Sequence, residues 1–180
     1  ALPSKPGFEA LCETIERFGV THTFTAPTGY RVMLGLKDRF DLSSLKGGVS
    51  AGEHLPAATW QAWKVETGIS LIDGIGATEM IHIFISASGS KIRPGSTGKP
   101  VPGYEAKVIG KDGKPVPDGE IGRLAVRGPT GCLYLDDDRQ KFYVQDGWNI
   151  TGDLYRRDAD GYFWYVSRAD DLIVASGYNI

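Results

Sequence analysis

The stretch ISLIDGIGATE, residues 69–79, decides the fold of this chain. Its apolar start, residues 69–72, predicts a buried strand, and the two glycines after it predict a loop that other groups can approach closely. The loop ends in Thr78, a hydroxyl donor, and Glu79, a carboxylate able to hold a hard cation. A dinucleotide-binding loop is disfavoured, because Glu79 stands where the third glycine of G-x-G-x-x-G belongs. Taken alone, the stretch is also compatible with an ordinary turn between two strands.

Helices and strands alternate before and around this stretch. Apolar residues at helical spacing predict a helix over residues 8–18, stopped by Gly19. Residues 20–26 and 49–51 predict two strands, and residues 56–68 predict a second long helix. This alternation predicts a parallel sheet covered by helices.

The second half of the chain has a different pattern. A Gly/Pro-rich connector over residues 93–103 predicts a boundary between two lobes. Short strands follow at residues 104–109 and 123–127, and a turn at residues 158–161 predicts a hairpin that ends near residue 166. The predicted fold class is therefore α/β, with a partial parallel sheet followed by a small antiparallel β-barrel-like lobe. The predicted limits are 1–93 for the α/β lobe, 94–167 for the β lobe and 168–180 for a hinge.

Composition excludes several classes of function. The formal net charge is -2, from 20 basic and 22 acidic residues, so no charge excess favours nucleic acid or an anionic membrane. No segment approaches the roughly 20 apolar residues that a membrane-spanning helix needs, and residues 1–5 lack the pattern of a secretory signal. The three histidines fall at no metal-ligand spacing. We therefore expect a cytoplasmic domain.

Six short motifs occur in a characteristic order along the chain. They are Phe24-Thr25-Ala26-Pro27-Thr28, Ser50-Ala51-Gly52-Glu53, Asp73-Gly74-Ile75-Gly76-Ala77-Thr78-Glu79, Gly119-Glu120-Ile121-Gly122-Arg123-Leu124, Thr151-Gly152-Asp153 and Arg168-Ala169-Asp170-Asp171. This series resembles the adenylate-forming superfamily of acyl- and aryl-CoA synthetases, luciferases and peptide-synthetase adenylation domains. Residues 73–86, together with 127–132, are most similar to benzoate- and 2-aminobenzoate-CoA ligases.

The resemblance implies an acid-thiol ligase that uses ATP, Mg²⁺ and coenzyme A. Members of the superfamily join a carboxylic acid to ATP as an acyl-AMP and then pass the acyl group to the thiol of coenzyme A. By this resemblance, Thr78 would donate to a phosphate, Glu79 would ligate Mg²⁺, and Asp153 would accept from both ribose hydroxyls. The other implied nucleotide-binding residues are Gly52, Glu53, His54, Asp73, Gly74, Ile75 and Arg168. Ile75 stands where many relatives have an aromatic residue against the adenine.

The acyl acid is expected against the positions after the glycine loop. The candidates are Gly74, Gly76, Ile81 and His82, with Ala51 and Tyr30 as further ones. Small residues beside an apolar and an imidazole side chain suit a flat ring. His82 is equally compatible with a histidine in the protein core.

The resemblance also implies parts that these 180 residues do not contain. It implies a Ser/Thr/Gly-rich phosphate loop before them and a small domain with a catalytic lysine after them, with Asp170 as the hinge. We therefore expect an internal fragment of the large domain that is inactive alone.

Other interpretations remain open at this point. Asp153 alone is compatible with a turn cap, and Arg168 with a solvated ion-pair cluster. A peptide-synthetase adenylation domain and a non-catalytic nucleotide-binding or assembly module are the alternative functions. Exposed sheet edges would favour a homo-oligomer.

Overall fold

The computed structural model describes residues 7–169 and the backbone of two short strands beyond them, Val174–Ala175 and Tyr178–Asn179. The chain divides into two compact units. The first contains the residues up to Gly74 and the segment Ser88–Gly95, and the second contains Ile75–Ala87 and the chain from Ser96 onward. The predicted limits at residues 93 and 167 stay predictions.

The first unit is an α/β arrangement. In chain order its elements are α1 (Phe8–Phe18), β1 (His22–Thr25), α2 (Pro27–Leu36), β2 (Gly47–Ser50), α3 (Ala57–Thr67) and β3 (Ile72–Gly76), whose last two residues lie in the second unit. Strand β2 pairs in parallel with both β1 and β3. The predicted parallel sheet with helices is confirmed.

Glycines end two of these helices as the sequence predicts. Gly19 follows α1 with a φ of 59° and donates its N–H to Ile15. Gly68 follows α3 with a φ of 72° and donates to Lys64. Glycine suits this left-handed conformation because it has no side chain to clash with the preceding turn.

The core of the first unit is formed by its three helices and their connections. Tyr30 and Trp63 are fully buried and meet edge to face, with ring centroids 4.8 Å apart. The Tyr30 hydroxyl donates to the carbonyl of Val49 over 2.9 Å. Tyr30, a further candidate for contact with the acid, therefore lies in the core of this unit. The core cluster consists of Cys12, Ile15, Tyr30, Met33, Leu45, Leu55, Trp63 and Leu71.

Strand β3 lies further along the chain than the sequence predicts. The prediction of a strand over residues 69–72 was wrong by three residues, because the ladder pairs Val49 with Ile72 and Ser50 with Asp73. The glycines of the predicted loop are extended and continue the strand as far as Gly76. Apolar residues 69–72 predicted burial correctly for Leu71, but burial alone does not specify which residues join the ladder.

The second unit is dominated by antiparallel strands. Its elements are β4 (Ile83–Ser86), β5 (Lys99–Pro100), β6 (Glu105–Ile109), β7 (Ile121–Arg127), α4 (Arg139–Tyr143), β8 (Val144–Gln145), β9 (Trp148–Arg157), β10 (Phe163–Arg168), β11 (Val174–Ala175) and β12 (Tyr178–Asn179). The main sheet has the order β10-β9-β7-β6, and β8 also pairs with β9. The predicted antiparallel lobe, and with it the fold class, is confirmed.

The predicted hairpin is formed by β9 and β10. Asp158 organises its turn: Oδ1 accepts from the backbone N–H of Asp160 and of Tyr162, and Oδ2 accepts from Nε1 of Trp164. The resulting register sets Arg168 opposite Asp153. Within the described part of the chain, every helix is too short or too polar to cross a bilayer.

Candidate active site

The nucleotide candidates of the first unit lie at the carboxyl end of β2 and on the part of β3 that pairs with it. Ser50, the last residue of β2, pairs with Asp73 on β3, and residues 51–54 follow β2 directly. In open α/β sheets, ligands bind outside the carboxyl ends of the strands. The structure therefore brings Gly52, Glu53 and His54 to the same sheet edge as Asp73.

The loop after β2 has a specific conformation. Gly52 has a φ of 88°, a left-handed value that a side chain would strain, and open space lies where its Cβ would be. Next to it, the Glu53 carboxylate accepts a 2.8 Å hydrogen bond from the Thr28 hydroxyl. Glu53 and His54 are both exposed. The loop thus offers open backbone and polar groups to a ligand.

Asp73 is an unusual carboxylic acid in this unit. Burial raises its pKa from the ordinary value to about 7, although a hydrogen bond from the Gly74 backbone lowers the pKa in part. A half-buried acid that ionises near neutral pH is common at functional sites, because burial penalises its charged form.

The glycine loop ends in a tight turn in the second unit. A single 3₁₀ turn covers Thr78–Met80, and Met80 donates its N–H to the carbonyl of Ala77. Gly76 packs against the following strand so closely that a Cβ would lie 2.7 Å from the His82 carbonyl oxygen. Gly76 therefore has a structural reason to be glycine.

Ile81 has a strained backbone at the end of this turn. Its φ is 70°, a value that branched side chains rarely adopt, and its side chain is 75 % exposed. His82 beside it is also exposed, so its interpretation as a core histidine is wrong for the described part of the chain. Strained backbone is concentrated at functional sites, which is consistent with a ligand contact here.

Glu79 is held by a residue that the sequence did not single out. Its Oε1 accepts a 2.8 Å hydrogen bond from the hydroxyl of Tyr134, and this hydrogen bond raises the pKa of Tyr134 to about 12. Nearby, the Thr130 hydroxyl donates to the carbonyl of Met80 over 2.8 Å and also bonds Tyr104. Residues 130–134 thus fix both the backbone and the carboxylate of the turn.

Asp153 and Arg168 form a pair across the β9–β10 hairpin. The distance from Arg168 Nη1 to Asp153 Oδ1 is 3.3 Å. The side chain of Asp153 is 15 % exposed and that of Arg168 is 47 % exposed, so the carboxylate is sheltered while the guanidinium is reachable. The guanidinium crosses over Gly152, where a Cβ would lie 2.6 Å from Nη2.

Tyr143 is a half-buried tyrosine of the second unit whose hydroxyl is hydrogen-bonded to none of the predicted site residues. Its hydroxyl is buried and has no hydrogen-bond partner among the described residues. Burial raises its pKa, and the negative charges of Glu79 and Asp153 raise it further. Glu79 and Asp153 therefore both lie within electrostatic reach of one tyrosine.

The donor set fits a magnesium ion that is shared with a nucleotide. In the described part of the chain, no three His, Cys, Asp or Glu side chains gather at a spacing that would hold a metal. Mg²⁺ is usually bound by one or two carboxylates together with substrate phosphates and water. Glu79 supplies one such carboxylate, so the residues present fit this mode of binding.

The structure sorts the predicted site residues into separate groups. Gly52, Glu53, His54, Asp73 and Gly74 lie in the first unit, and Ile75, Gly76, Thr78, Glu79, Ile81, His82, Asp153 and Arg168 lie in the second. Asp170, the predicted hinge, lies outside the described residues. The roles of all these residues stay predictions.

A family model described as AMP-binding enzyme matches residues 2–133 of the chain. The chain belongs to the AMP-binding enzyme family. Among curated relatives of this AMP-binding chain, an uncharacterized acyl-CoA ligase, YtcI of Bacillus subtilis strain 168, is 39 % identical over 179 residues, covering 96 % of the chain and 34 % of the relative. The mitochondrial acyl-coenzyme A synthetase ACSM3 of Mus musculus is 36 % identical over 185 residues, covering 97 % of the chain and 32 % of the relative.

Two solved structures resemble this AMP-binding chain closely. An anthranilate CoA ligase in complex with anthranoyl-AMP superposes with a TM-score of 0.90 and 48 % identity, covering 98 % of the chain and 36 % of that protein. A benzoate CoA ligase from Burkholderia xenovorans LB400 superposes with a TM-score of 0.86 and 32 % sequence identity, covering 94 % of the chain and 36 % of that protein. The chain spans about a third of the length of these relatives.

Proposed function

We propose that this chain forms part of an ATP-dependent acid-thiol ligase that activates an aromatic carboxylic acid as acyl-AMP and transfers it to coenzyme A. The observation that carries the proposal is the 48 % identity, over 98 % of the chain, to an anthranilate CoA ligase solved with anthranoyl-AMP. The family and the acyl-CoA ligase relatives support the same class of reaction.

The first half-reaction requires compensation of charge and fixed geometry. A carboxylate attacks the α-phosphorus in line with the departing pyrophosphate, so the negative charges of both reactants have to be offset. Thr78 donates its hydroxyl to a phosphate oxygen, and Arg168 is reachable for ribose or phosphate oxygens. A magnesium ion held by Glu79 would supply further positive charge to the phosphates.

Each unit, taken by itself, has its own proposed contacts with the nucleoside. Asp153, with its sheltered carboxylate, accepts from the ribose hydroxyls. In the first unit, the proposed contacts of the adenine are Gly52, Glu53, His54, Asp73 and Gly74. Ile75 offers the base an aliphatic contact in place of an aromatic ring.

The acid lies against Gly74, Gly76, Ile81 and His82. The side chains of Ile81 and His82 are both exposed, and Ile81 has the strained backbone that is concentrated at functional sites. We expect the His82 imidazole to contact the aromatic ring or an ortho substituent. The isolated 180 residues are expected not to catalyse either half-reaction, since they contain neither the phosphate loop nor the catalytic lysine that the resemblance implies.

A panel of acids tests this function directly. The native protein that carries this sequence is incubated with ATP, Mg²⁺, coenzyme A and either benzoate, 2-aminobenzoate or a straight-chain alkanoate, and the CoA thioesters are measured by mass spectrometry. We expect thioesters of the aromatic acids, with His82→Ala changing their ranking at least about tenfold. An unchanged ranking in His82→Ala would contradict the role of His82.

Other outcomes of the same panel separate the alternatives. Thioester formation from the alkanoate alone would contradict the aromatic substrate and favour an acid like those of alkyl-CoA synthetases. Acyl-AMP without any CoA thioester would favour a peptide-synthetase adenylation domain. The cytoplasmic location also stays a proposal, because a relative such as ACSM3 is mitochondrial by name.

A further inference from the structure

Tyr134 is held in place from four directions within the second unit. Its backbone N–H donates to Oε1 of Gln140 over 2.8 Å. The guanidinium of Arg139 lies 4.5 Å from the centroid of its ring, and the ring of Tyr143 meets it edge to face at 6.0 Å. The fourth contact is the 2.8 Å hydrogen bond from its hydroxyl to Glu79. Its position is therefore defined before any ligand binds.

Three of the supporting side chains come from one short helix. Arg139, Gln140 and Tyr143 all lie on α4. Arg139 is in turn fixed by Asp137, which accepts a 2.8 Å hydrogen bond from its Nε. Helix α4 makes no other contribution to the site that the proposed function uses, so support of Tyr134 gives this helix a role.

The contact restricts a side chain that is otherwise free to rotate. A glutamate loses considerable rotamer freedom when it binds a ligand, and a carboxylate oriented beforehand avoids part of that cost. Among the described residues, Tyr134 is the hydrogen-bond donor to the Glu79 carboxylate, and it uses Oε1. A hydrogen bond to one oxygen leaves Oε2 to a cation, so the two interactions are compatible.

We propose that Tyr134 is the positioning residue for Glu79, whose carboxylate it orients toward the magnesium ion of a bound nucleotide. The inference rests on the proposed role of Glu79 in holding that ion. Partners that orient metal ligands commonly affect metal affinity by about 10- to 100-fold. Tyr134 acts through Glu79 and touches no reacting atom.

Metal affinity, separate from turnover, tests this inference. The apparent Kd for Mg²⁺ is measured by titration calorimetry on the native protein in the presence of ATP and without acid, and the Kd for AMP is measured without Mg²⁺. For Tyr134→Phe we expect about a tenfold weaker Mg²⁺ affinity and an unchanged AMP affinity. Gln140→Ala removes the acceptor of the Tyr134 backbone N–H and should also weaken the affinity for Mg²⁺. It serves as the second test variant if Tyr134→Phe does not fold.

Tyr143→Phe is the matched control. It removes a hydroxyl from the same segment that has no partner among the described residues and keeps the ring contact, so it should bind Mg²⁺ like the wild type. Glu79→Gln separates the two proposals. The positioning role is wrong if Glu79→Gln weakens the affinity for Mg²⁺ and Tyr134→Phe leaves it unchanged. It is also wrong if Tyr134→Phe increases the affinity for Mg²⁺. If Glu79→Gln leaves Mg²⁺ affinity unchanged, the proposed role of Glu79 fails, and Tyr134 loses its function with it.

Discussion

Gly152 decides how Arg168 reaches Asp153. The guanidinium crosses directly over the Gly152 Cα, at a distance that leaves no room for a Cβ. Thr151 holds Asp153, two residues further along the chain, since the Thr151 hydroxyl accepts a 3.2 Å hydrogen bond from the Asp153 N–H. Within Thr151-Gly152-Asp153, Thr151 therefore fixes the backbone of Asp153, and Gly152 leaves space for the guanidinium that pairs with Asp153.

Gly152→Ala should displace Arg168 while the sheet is retained. A Cβ would lie 2.6 Å from Nη2, and the exposed guanidinium can move more easily than the backbone. We expect AMP affinity to fall by about tenfold, or about 1.4 kcal/mol, with little change in thermal stability. Calorimetric titration of AMP into the native protein provides the measurement. Gly131→Ala is the control, since its Cβ would make an ordinary 3.7 Å contact with Asn149; equal AMP affinity in the two variants would contradict the account.

Residue identity was predictable where a motif carried it. Glu79, Asp153 and Arg168 follow from the resemblance, but their partners depend on register and tertiary contact. Asp153 and Arg168 are separated by 15 positions in sequence, and they are recognisable as a pair only once the hairpin register is known. The sequence analysis did not single out Tyr134, because a tyrosine between two leucines is typical of many strands. Its position two residues after the segment 127–132, which carries part of the resemblance, is the signal that could have found it.

Strand β3 is the element that joins the sheet to the site. It starts in the ladder with β2 and ends at Gly76, two residues before the turn that carries Glu79. The ends of α1 and α3 were predictable because a left-handed residue after a helix is usually glycine. The start of β3 was not predictable, because the hydrogen-bond register with β2 is a non-local property that residues 69–72 do not encode.

The position of Asp73 in β3 should make stability depend on pH. Its folded pKa, about 7, lies above its ordinary value of 3.8, so the folded protein binds the proton more tightly than the unfolded chain does. Stability should therefore fall as pH rises from about 4 to about 7 and level off above. Asp73→Asn removes the ionisation, so its stability relative to the wild type should rise across that range, by on the order of 4 kcal/mol above pH 7.

Thermal unfolding of the native protein without nucleotide, followed from pH 4 to pH 8, measures this effect. Asp41→Asn is the control of opposite sign. Hydrogen bonds from Ser43 hold the pKa of Asp41 below its ordinary value, so its charged form stabilises the fold above about pH 4. Asp41→Asn should lose that stabilising contribution and be less stable than the wild type above about pH 4. A difference between Asp73→Asn and wild type that does not change with pH would contradict the burial of a charged group in β3.

At the scale of the whole molecule, the chain provides two compact units that together match about a third of a ligase. Each unit has its own core and its own share of the candidate residues. The division into an α/β part and an antiparallel β part was predictable, because the period of the apolar pattern and the density of turns change along the chain. That Ser88–Gly95 belongs to the first unit was not predictable, because this assignment depends on tertiary contacts.

The central claim is that these residues serve the adenylation of an acid. The most direct measurement is the exchange of labelled pyrophosphate into ATP by the native protein, with and without an aromatic acid. We expect exchange that requires both the acid and Mg²⁺ and that falls at least about 100-fold in Glu79→Gln. Tight AMP binding with no exchange for any acid in the panel would contradict it and favour a non-catalytic nucleotide-binding module.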